Sequence, residues 1–245
     1  MMATGVSERH DLDMRIAVLH PGEMGSAVAA ALDGTVIWAP AGRSEATARR
    51  ARGLTPGDPL SADVILSICP PHAARDVARS VRGFTGIYVD ANAVSPATSR
   101  EIRAIVPEAD FVDGGIIGPP PAVEGSTRLY LSGDRAPAVA ALFADTIVDA
   151  RIVSDASALK MAYAAWTKGS AALLLAAHAA AEAYGVADAL DAEWASLEDR
   201  YASAQAAKAA KGWRWVAEME EIADTFAAAG LPDGFHRAAA EIYRR

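Results

Sequence analysis

The chain has 245 residues, of which 52% are hydrophobic and 22% are charged, as is usual for folded globular proteins. Its formal net charge of −8 argues against a nucleic-acid partner, because binding phosphates requires clustered lysine and arginine. The single cysteine, Cys69, excludes an internal disulfide and a thiolate zinc cluster, and it favours the reducing cytoplasm as the location of the protein.

The first part of the chain is predicted to be a Rossmann-like domain over residues 14–153. Residues 1–13 are polar and lack the apolar stretch of a signal peptide, so they are predicted to form a loose tail. Short β-branched runs then alternate with helical patterns, which is typical of a doubly wound parallel α/β sheet. Strands are predicted at 15–20, 35–39, 63–69, 86–91, 109–114, 128–133 and 149–154. Helices are predicted at 24–32 and 44–52, from Pro96 onward, and near 137–144.

From residue 154 the pattern changes to alanine-rich helix, which predicts an all-α domain over 154–245. Helices are predicted at 156–184, at about 188–210 and at 213–229. The longest apolar stretch, 171–181, is too short to span a bilayer, which needs about 20 residues, so no membrane partner is expected. Because so small a domain cannot bury all its apolar helix faces, we expect a homodimer with much of its interface here.

The turn after the first predicted strand is a candidate phosphate-binding site. It reads His20-Pro21-Gly22-Glu23-Met24-Gly25 and leads directly into a helix. The amides that open a helix attract an anion, and glycine lets the backbone approach a diphosphate closely. The turn therefore predicts dinucleotide binding through Pro21, Gly22, Glu23, Met24 and Gly25; the alternative is an ordinary strand-to-helix turn.

The segment after the second predicted strand favours NADP over NAD. An NAD-selective domain has a carboxylate here to bind the ribose hydroxyls, whereas an NADP-selective domain has an arginine near the 2′-phosphate. This chain has Gly42, Arg43 and Ser44, with no carboxylate before Glu45. Arg43 is expected to contact the phosphate in two places and Ser44 to donate its hydroxyl. The alternative is a solvated arginine beside a helix-capping serine.

Five segments, taken in order, resemble the β-hydroxyacid dehydrogenase-like superfamily, in a branch with a short helical C-terminal domain. They read RIAVLHPGEMGSAVAAAL (15–32), VILSICPP (64–71), VDANAVSP (89–96), FVDGGIIGPP (111–120) and LKMAYAAWTKG (159–169). The resemblance implies that Cys69, Pro70 and Asn92 also contact the cofactor. It implies a substrate site that includes Asn92, Gly114, Gly115, Ile117 and Thr167.

The chain departs from the family pattern mostly on the substrate side. His20 stands in place of the first glycine of the turn, and Asn92 in place of a serine. Ile117 stands where the family has a serine that binds the substrate carboxylate, and Ala164 where it has an asparagine. The lysine-aspartate pair that is usual in the C-terminal helix of the family aligns with Glu220–Glu221 of this chain. These departures argue against a simple 3-hydroxyacid substrate.

Lys160 is the candidate general acid/base, and Tyr163 is expected to assist it. A free lysine is a slow base at neutral pH, so burial has to lower its pKa. Tyr163 and Thr167 lie three and seven residues further on, on the same predicted helix face. Lys168 is interpreted as a surface lysine, and Trp213 and Trp215 as core or dimer-interface residues. No metal is expected, because the acidic residues near the end of the chain lack histidine or cysteine neighbours.

Three functions remain open from the sequence. The first is a cytoplasmic NADP-dependent dehydrogenase or reductase of a small carbonyl or hydroxy compound, with Lys160 as general acid/base. The second is an imine reductase, although such enzymes commonly have another residue in place of this lysine. The third is a non-catalytic sensor or interaction protein that binds NADP.

Overall fold

The computed structural model describes residues 14–245, so the tail predicted over residues 1–13 lies outside the described part of the chain. The strands are β1 (Ile16–Val18), β2 (Val36–Trp38), β3 (Thr55–Pro56), β4 (Val64–Ser67), β5 (Ile87–Asp90), β6 (Asp110–Ile117), β7 (Thr127–Ser132) and β8 (Val148–Ile152). The helices among them are α1 (Glu23–Ala30), α2 (Glu45–Arg50), α3 (Ala74–Arg79), α4 (Pro96–Ile105) and α5 (Ala136–Ala141), with short 3₁₀ turns at Pro59–Ser61 and Pro71–Ala73.

The strands form one sheet in the order β3-β2-β1-β4-β5-β6-β7-β8, and the Rossmann-like fold class is confirmed. The sheet is parallel, as predicted, except between β6 and β7, which are antiparallel. Only residues 118–126 connect these two strands. A parallel neighbour needs a crossover of a dozen residues or more, so the chain can only turn back on itself.

The sheet is buried on both faces. Along β1 and β4, alternate side chains enter two separate apolar clusters: Ile16, Val64 and Leu66 pack in one, and Ala17 and Ile65 pack in the other. Successive side chains of a strand point to opposite faces, so helices cover both sides of the sheet. Loops at the carboxyl ends of β1 and β4 are therefore held on a rigid frame.

Four helices follow the sheet: α6 (Ala156–Ala183), α7 (Ala187–Glu193), α8 (Glu198–Ala228) and α9 (Gly234–Arg244). The break predicted between residues 210 and 213 is wrong, because α8 continues through Gly212, which lies beside the backbone of α9. The helical conformation is interrupted instead between α7, which ends at Glu193, and α8, which begins at Glu198. Within residues 14–245, no helix has both the length and the apolar character needed to cross a membrane.

A third apolar cluster joins the helices. Met161 of α6 packs with Met219 and Ile222 of α8 and with Ala239 and Tyr243 of α9. Helix α9, which was not predicted as a separate element, supplies the side chains that cover this face of α8. Packed in this way, α8 is continuous from Glu198 to Ala228 and contacts the sheet domain.

Candidate functional site

The turn after β1 has the geometry of a phosphate-binding turn. It lies at the carboxyl end of β1, which has β2 on one side and β4 on the other, the position where doubly wound sheets bind ligands. A Cβ added to Gly25 would lie 2.4 Å from the carbonyl oxygen of His20, so only glycine allows this close approach. A Cβ added to Gly22 would meet nothing within 4 Å. Gly22 is the N-cap of α1 and no side chain caps this helix, so its first amides remain available to an anion.

A cleft of about 430 Å³ opens beside this turn. It is lined by two loops and two helices, α1 and α2, of the sheet domain and by α8 of the helical domain. The structure brings together there the predicted cofactor residues Gly22, Glu23, Met24, Gly25, Cys69 and Pro70. Pro21 is buried within the same turn. Two residues of α2, Thr47 and Arg50, also line the cleft, although the sequence analysis did not single them out.

Helix α8 covers the open side of the cleft with Lys211, Trp213 and Arg214. This contribution was not predicted from the sequence, where Trp213 was interpreted as a core or dimer-interface residue. In the structure Trp213 is 62% exposed, and its ring centroid lies 6.3 Å from that of His72. The basic run Lys208, Lys211 and Arg214 in an acidic chain was the available signal, but the expected helix break at this point hid it.

Arg43 lies near the phosphate-binding turn rather than in free solvent. Its Nη1 contacts Nε2 of His20. Burial, with a smaller contribution from the charge of Arg43, lowers the pKa of His20 to about 4. Gly42 has a φ of +72°, which the turn before Arg43 requires. Ser44 caps α2, because its Oγ accepts a hydrogen bond of 3.2 Å from the amide of Thr47.

Asn92 connects the carboxyl ends of β4 and β5. It is only 2% exposed, and its Oδ1 accepts a 2.6 Å hydrogen bond from the amide of Cys69. Its Nδ2 donates to Oγ of Ser67 at 3.1 Å and to the carboxyl group of Asp90. The side chain therefore holds the loop of Cys69 and Pro70 that lines the cleft, and all of its hydrogen bonds in the structure are internal.

Burial raises the pKa of one carboxyl group and one thiol group in this network. Burial, reinforced by the nearby charge of Asp113, raises the pKa of Asp90 to about 7. Burial likewise raises the pKa of Cys69 to about 12. A thiol with so high a pKa is not a nucleophile at neutral pH.

The residues of the expected substrate loop lie inside strand β6 instead. Gly114, Gly115 and Ile117 all fall between Asp110 and Ile117, and the Ile117 side chain is 4% exposed. A Cβ added to Gly115 would lie 2.9 Å from the carbonyl oxygen of Ala156 and 3.0 Å from Cβ of Lys160. Glycine at this position therefore lets α6 approach the sheet.

Asp113 anchors the beginning of α6 to the sheet. Its carboxyl group accepts a 2.8 Å hydrogen bond from the amide of Ser157 and a 3.0 Å hydrogen bond from Oγ of Ser132. The Ser157 hydroxyl also donates to this carboxyl group. The position of Lys160, one turn further along α6, is therefore fixed by hydrogen bonds to two strands.

Lys160 lies at the junction of α6 and β6. Its Nζ donates a 2.7 Å hydrogen bond to the carbonyl oxygen of Ile116. Burial lowers the pKa of Lys160 to about 8, and the charge of Arg214 adds to this effect. Because Arg214 also lines the cleft, its guanidinium group couples the lysine electrostatically to that cleft.

None of the polar residues predicted on α6, Lys160 included, is among the residues that line the cleft. Tyr163 is 43% exposed. Thr167 donates its hydroxyl to the carbonyl oxygen of Tyr163 at 3.2 Å and lines a separate groove between α6 and α8. Lys168, interpreted above as a surface residue, is instead partly buried, with its side chain 14% exposed, and its Nζ pairs with Glu218. That interpretation failed because its partner is 50 residues further along the chain.

The helical domain is joined to the sheet domain by a buried carboxylate. Glu221 of α8 accepts hydrogen bonds of 2.8 Å from the amide of Ser95 and from Oγ1 of Thr98, at the beginning of α4. A negative charge at a helix N-terminus is favourable. Glu221 thus fixes α8 on the sheet domain, and with it the residues that α8 contributes to the cleft.

Comparisons with known proteins agree with this architecture. Residues 181–245 match the model of a domain of unknown function, DUF1932. An uncharacterised 28.5 kDa protein from Methanothermus fervidus is 36% identical over 134 residues, which cover 53% of this chain and 52% of that protein. The match therefore spans about half the length of this curated relative.

Solved structures match nearly the whole chain. A conserved protein of unknown function, described as structurally similar to 3-hydroxyacid dehydrogenases, is 26% identical with a TM-score of 0.67, covering 94% of this chain and 96% of that one. This chain therefore shares the fold of proteins that resemble 3-hydroxyacid dehydrogenases. Two further solved structures share the fold at lower identity. The 3-hydroxyisobutyrate dehydrogenase of Salmonella typhimurium is 16% identical, with a TM-score of 0.69 and coverage of 95% and 93%. A reductive aminase from Aspergillus terreus in complex with NADPH and ethyl levulinate is 14% identical, with a TM-score of 0.58 and coverage of 95% and 93%.

Proposed function

We propose that this chain is an NADP(H)-dependent oxidoreductase that acts on a small carbonyl or hydroxy compound, with Lys160 as general acid/base. The observation that carries the proposal is the cleft at the carboxyl end of β1. It combines a glycine turn, an uncapped helix N-terminus and basic side chains from α2 and α8. Such a site suits a phosphorylated dinucleotide.

The residues of the cleft fit a dinucleotide in charge as well as in shape. Arg50, Lys211 and Arg214 line it, against the single carboxylate of Glu23. The Nε of Arg214 is buried and has no hydrogen-bond partner within residues 14–245. A buried donor without a partner is costly, and a phosphate oxygen would satisfy it. We therefore assign the diphosphate to the turn and to the facing cations of α8.

Selectivity for NADP over NAD is assigned to Arg43. The chain between β2 and α2 carries no carboxylate to repel a 2′-phosphate before Glu45. Arg43 lies close to the turn through its contact with His20, and its Nε is buried without a partner in the described chain. The reductive aminase that shares this fold is in complex with NADPH, which supports the same choice here.

Lys160 is assigned the proton transfer. When bound, the reduced nicotinamide supplies the hydride to the carbonyl carbon of the substrate. With a pKa of about 8, the Lys160 ammonium group is largely protonated at neutral pH and still able to release a proton. It therefore donates a proton to the substrate oxygen during reduction, and the neutral amine accepts it during oxidation.

The proposal is tested by an NADPH-oxidation screen over aldehydes, keto acids and cyclic imines, which also covers the imine-reductase alternative. Lys160→Met should abolish turnover while the NADPH dissociation constant is retained. The matched control is Lys208→Met, since Lys208 lines a different groove, between α6, α8 and α9. Near-normal kcat in the Lys160 variant would contradict the assignment. Tight NADPH binding by the wild type without any turnover would favour the sensor alternative.

A further inference from the structure

The histidine that replaces the first glycine of the phosphate-binding turn has a specific contact. His20 lines the same cleft as Gly22 and Gly25, and its Nε2 contacts Nη1 of Arg43. A glycine at this position could make no such contact. The residue that departs from the usual turn, His20, therefore contacts Arg43, the residue assigned to the 2′-phosphate.

The chemistry of the contact fixes the protonation of both partners. A guanidinium group only donates hydrogen bonds, so Nε2 of His20 must be the acceptor. Burial and the charge of Arg43 lower the pKa of His20 to about 4, so the imidazole is neutral at physiological pH. Its proton then resides on Nδ1, which is buried and has no partner within residues 14–245. Repulsion between two cations is thereby avoided.

The contact also restrains a flexible side chain before any ligand binds. An arginine carries about 2 kcal/mol of rotamer entropy, and ordering such a side chain on binding weakens affinity. Arg43 contacts no carboxylate in the described chain that could hold it instead, and the nearest acidic residue in sequence, Glu45, pairs with Arg49.

We propose that His20 is a positioning residue that holds the Arg43 guanidinium ready for the 2′-phosphate and so raises the preference for NADP(H) over NAD(H). The inference rests on the proposed use of NADP(H). It assigns to the exceptional residue of the turn a role in selectivity rather than in binding the diphosphate, which both dinucleotides share.

The test measures dissociation constants of NADPH and NADH by calorimetry for the wild type, His20→Ala, His20→Gln, Arg43→Ala and the double variant His20→Ala/Arg43→Ala. Restraining one long side chain corresponds to an effect of about five- to tenfold. His20→Ala should weaken NADPH binding by this factor and leave NADH binding unchanged. His20→Gln should retain most of the affinity, because its amide oxygen can accept from the guanidinium group. In the Arg43→Ala background, His20→Ala should have no further effect.

Several outcomes would overturn the inference. Equal weakening of NADPH and NADH would mean that His20 only supports the turn, and tighter NADPH binding would mean that it competes with the phosphate for Arg43. An effect of His20→Ala that persists without Arg43 would remove the link between the two residues. Arg49→Ala is the control for loss of an exposed arginine and should change neither constant. A wild type that binds neither dinucleotide would overturn the proposed function as well, whereas NADPH binding unaffected by His20→Ala overturns this inference alone.

Discussion

Replacing Lys160 by methionine should remove activity and at the same time stabilise the folded chain. The pKa of Lys160 is lowered from 10.5 to about 8, chiefly because burial disfavours its charge. This difference corresponds to a cost of about 3 kcal/mol at neutral pH, since one pH unit is about 1.4 kcal/mol. Methionine has a similar length but no charge. The methionine variant loses the hydrogen bond to the Ile116 carbonyl oxygen, and this loss cancels about 1 kcal/mol of the stability gained by removing the buried charge.

The gain should depend on pH in a defined direction. Between the folded pKa of about 8 and the unfolded value of 10.5, the unfolded chain binds more protons than the folded chain, so raising the pH favours folding of the wild type. Below the folded pKa the cost is fully present, and it disappears as the pH approaches the unfolded pKa. The advantage of the methionine variant should therefore shrink by about 2 kcal/mol between pH 7 and pH 9.5.

Urea unfolding of the wild type and the variant across this pH range measures the effect. Lys208→Met removes one positive charge outside the cleft and serves as the control for charge alone. A Lys160 variant that is less stable than the wild type at neutral pH, or an advantage that does not change with pH, would refute the argument that burial perturbs this lysine. Such a result would also remove the physical basis for its role in proton transfer.

Three further predictions test other parts of the account. Carbonyl reduction should slow as the pH rises above about 8, because Lys160 then loses the proton that it donates; a flat kcat profile would contradict this. Gly25→Ala should lower the melting temperature strongly, because its Cβ would lie 2.4 Å from a carbonyl oxygen, whereas Gly22→Ala meets nothing within 4 Å and should melt like the wild type. Equal melting temperatures would disprove the close approach. Glu221→Ala should cost about 1–3 kcal/mol in chemical denaturation, because it leaves the buried Ser95 amide unpaired and removes the acceptor of the Thr98 hydroxyl. Glu220→Ala removes an exposed ion pair with Arg244 and should cost less than about 1 kcal/mol; a larger loss there would argue against the interdomain role of Glu221.

The sheet domain could be predicted from the sequence because its signals are local. A β-branched run, a glycine turn and a helix follow one another directly at residues 15–32, and the fold keeps them in that order. Strand β3 was missed because Thr55 and Pro56 are exposed and form no apolar run. The antiparallel pairing of β7 could not be predicted from the expected strands, because strands at 109–114 and 128–133 leave residues 115–127 between them, which is long enough for a crossover. In the structure β6 extends to Ile117, and the remaining connection over 118–126 is too short for one.

The helical side of the site could not be predicted in the same way, because its contacts are distant in sequence. A lysine is usually exposed, and Lys168 is largely removed from solvent only where Glu218, on another helix, pairs with it. Glycine is typical of a helix end, yet α8 continues through Gly212 because α9 packs against this face of the helix. Lys211 and Arg214 reach the nucleotide cleft only as a consequence of that continuous helix.

Calorimetric titration of the wild-type chain with NADPH and with NADH tests the central claim most directly. The uncapped α1 N-terminus, the cations of α8 and Arg43 together predict saturable binding of NADPH, tighter than that of NADH. Absence of measurable heat with both dinucleotides, from protein shown to be folded, would contradict the proposed cleft and the function built on it.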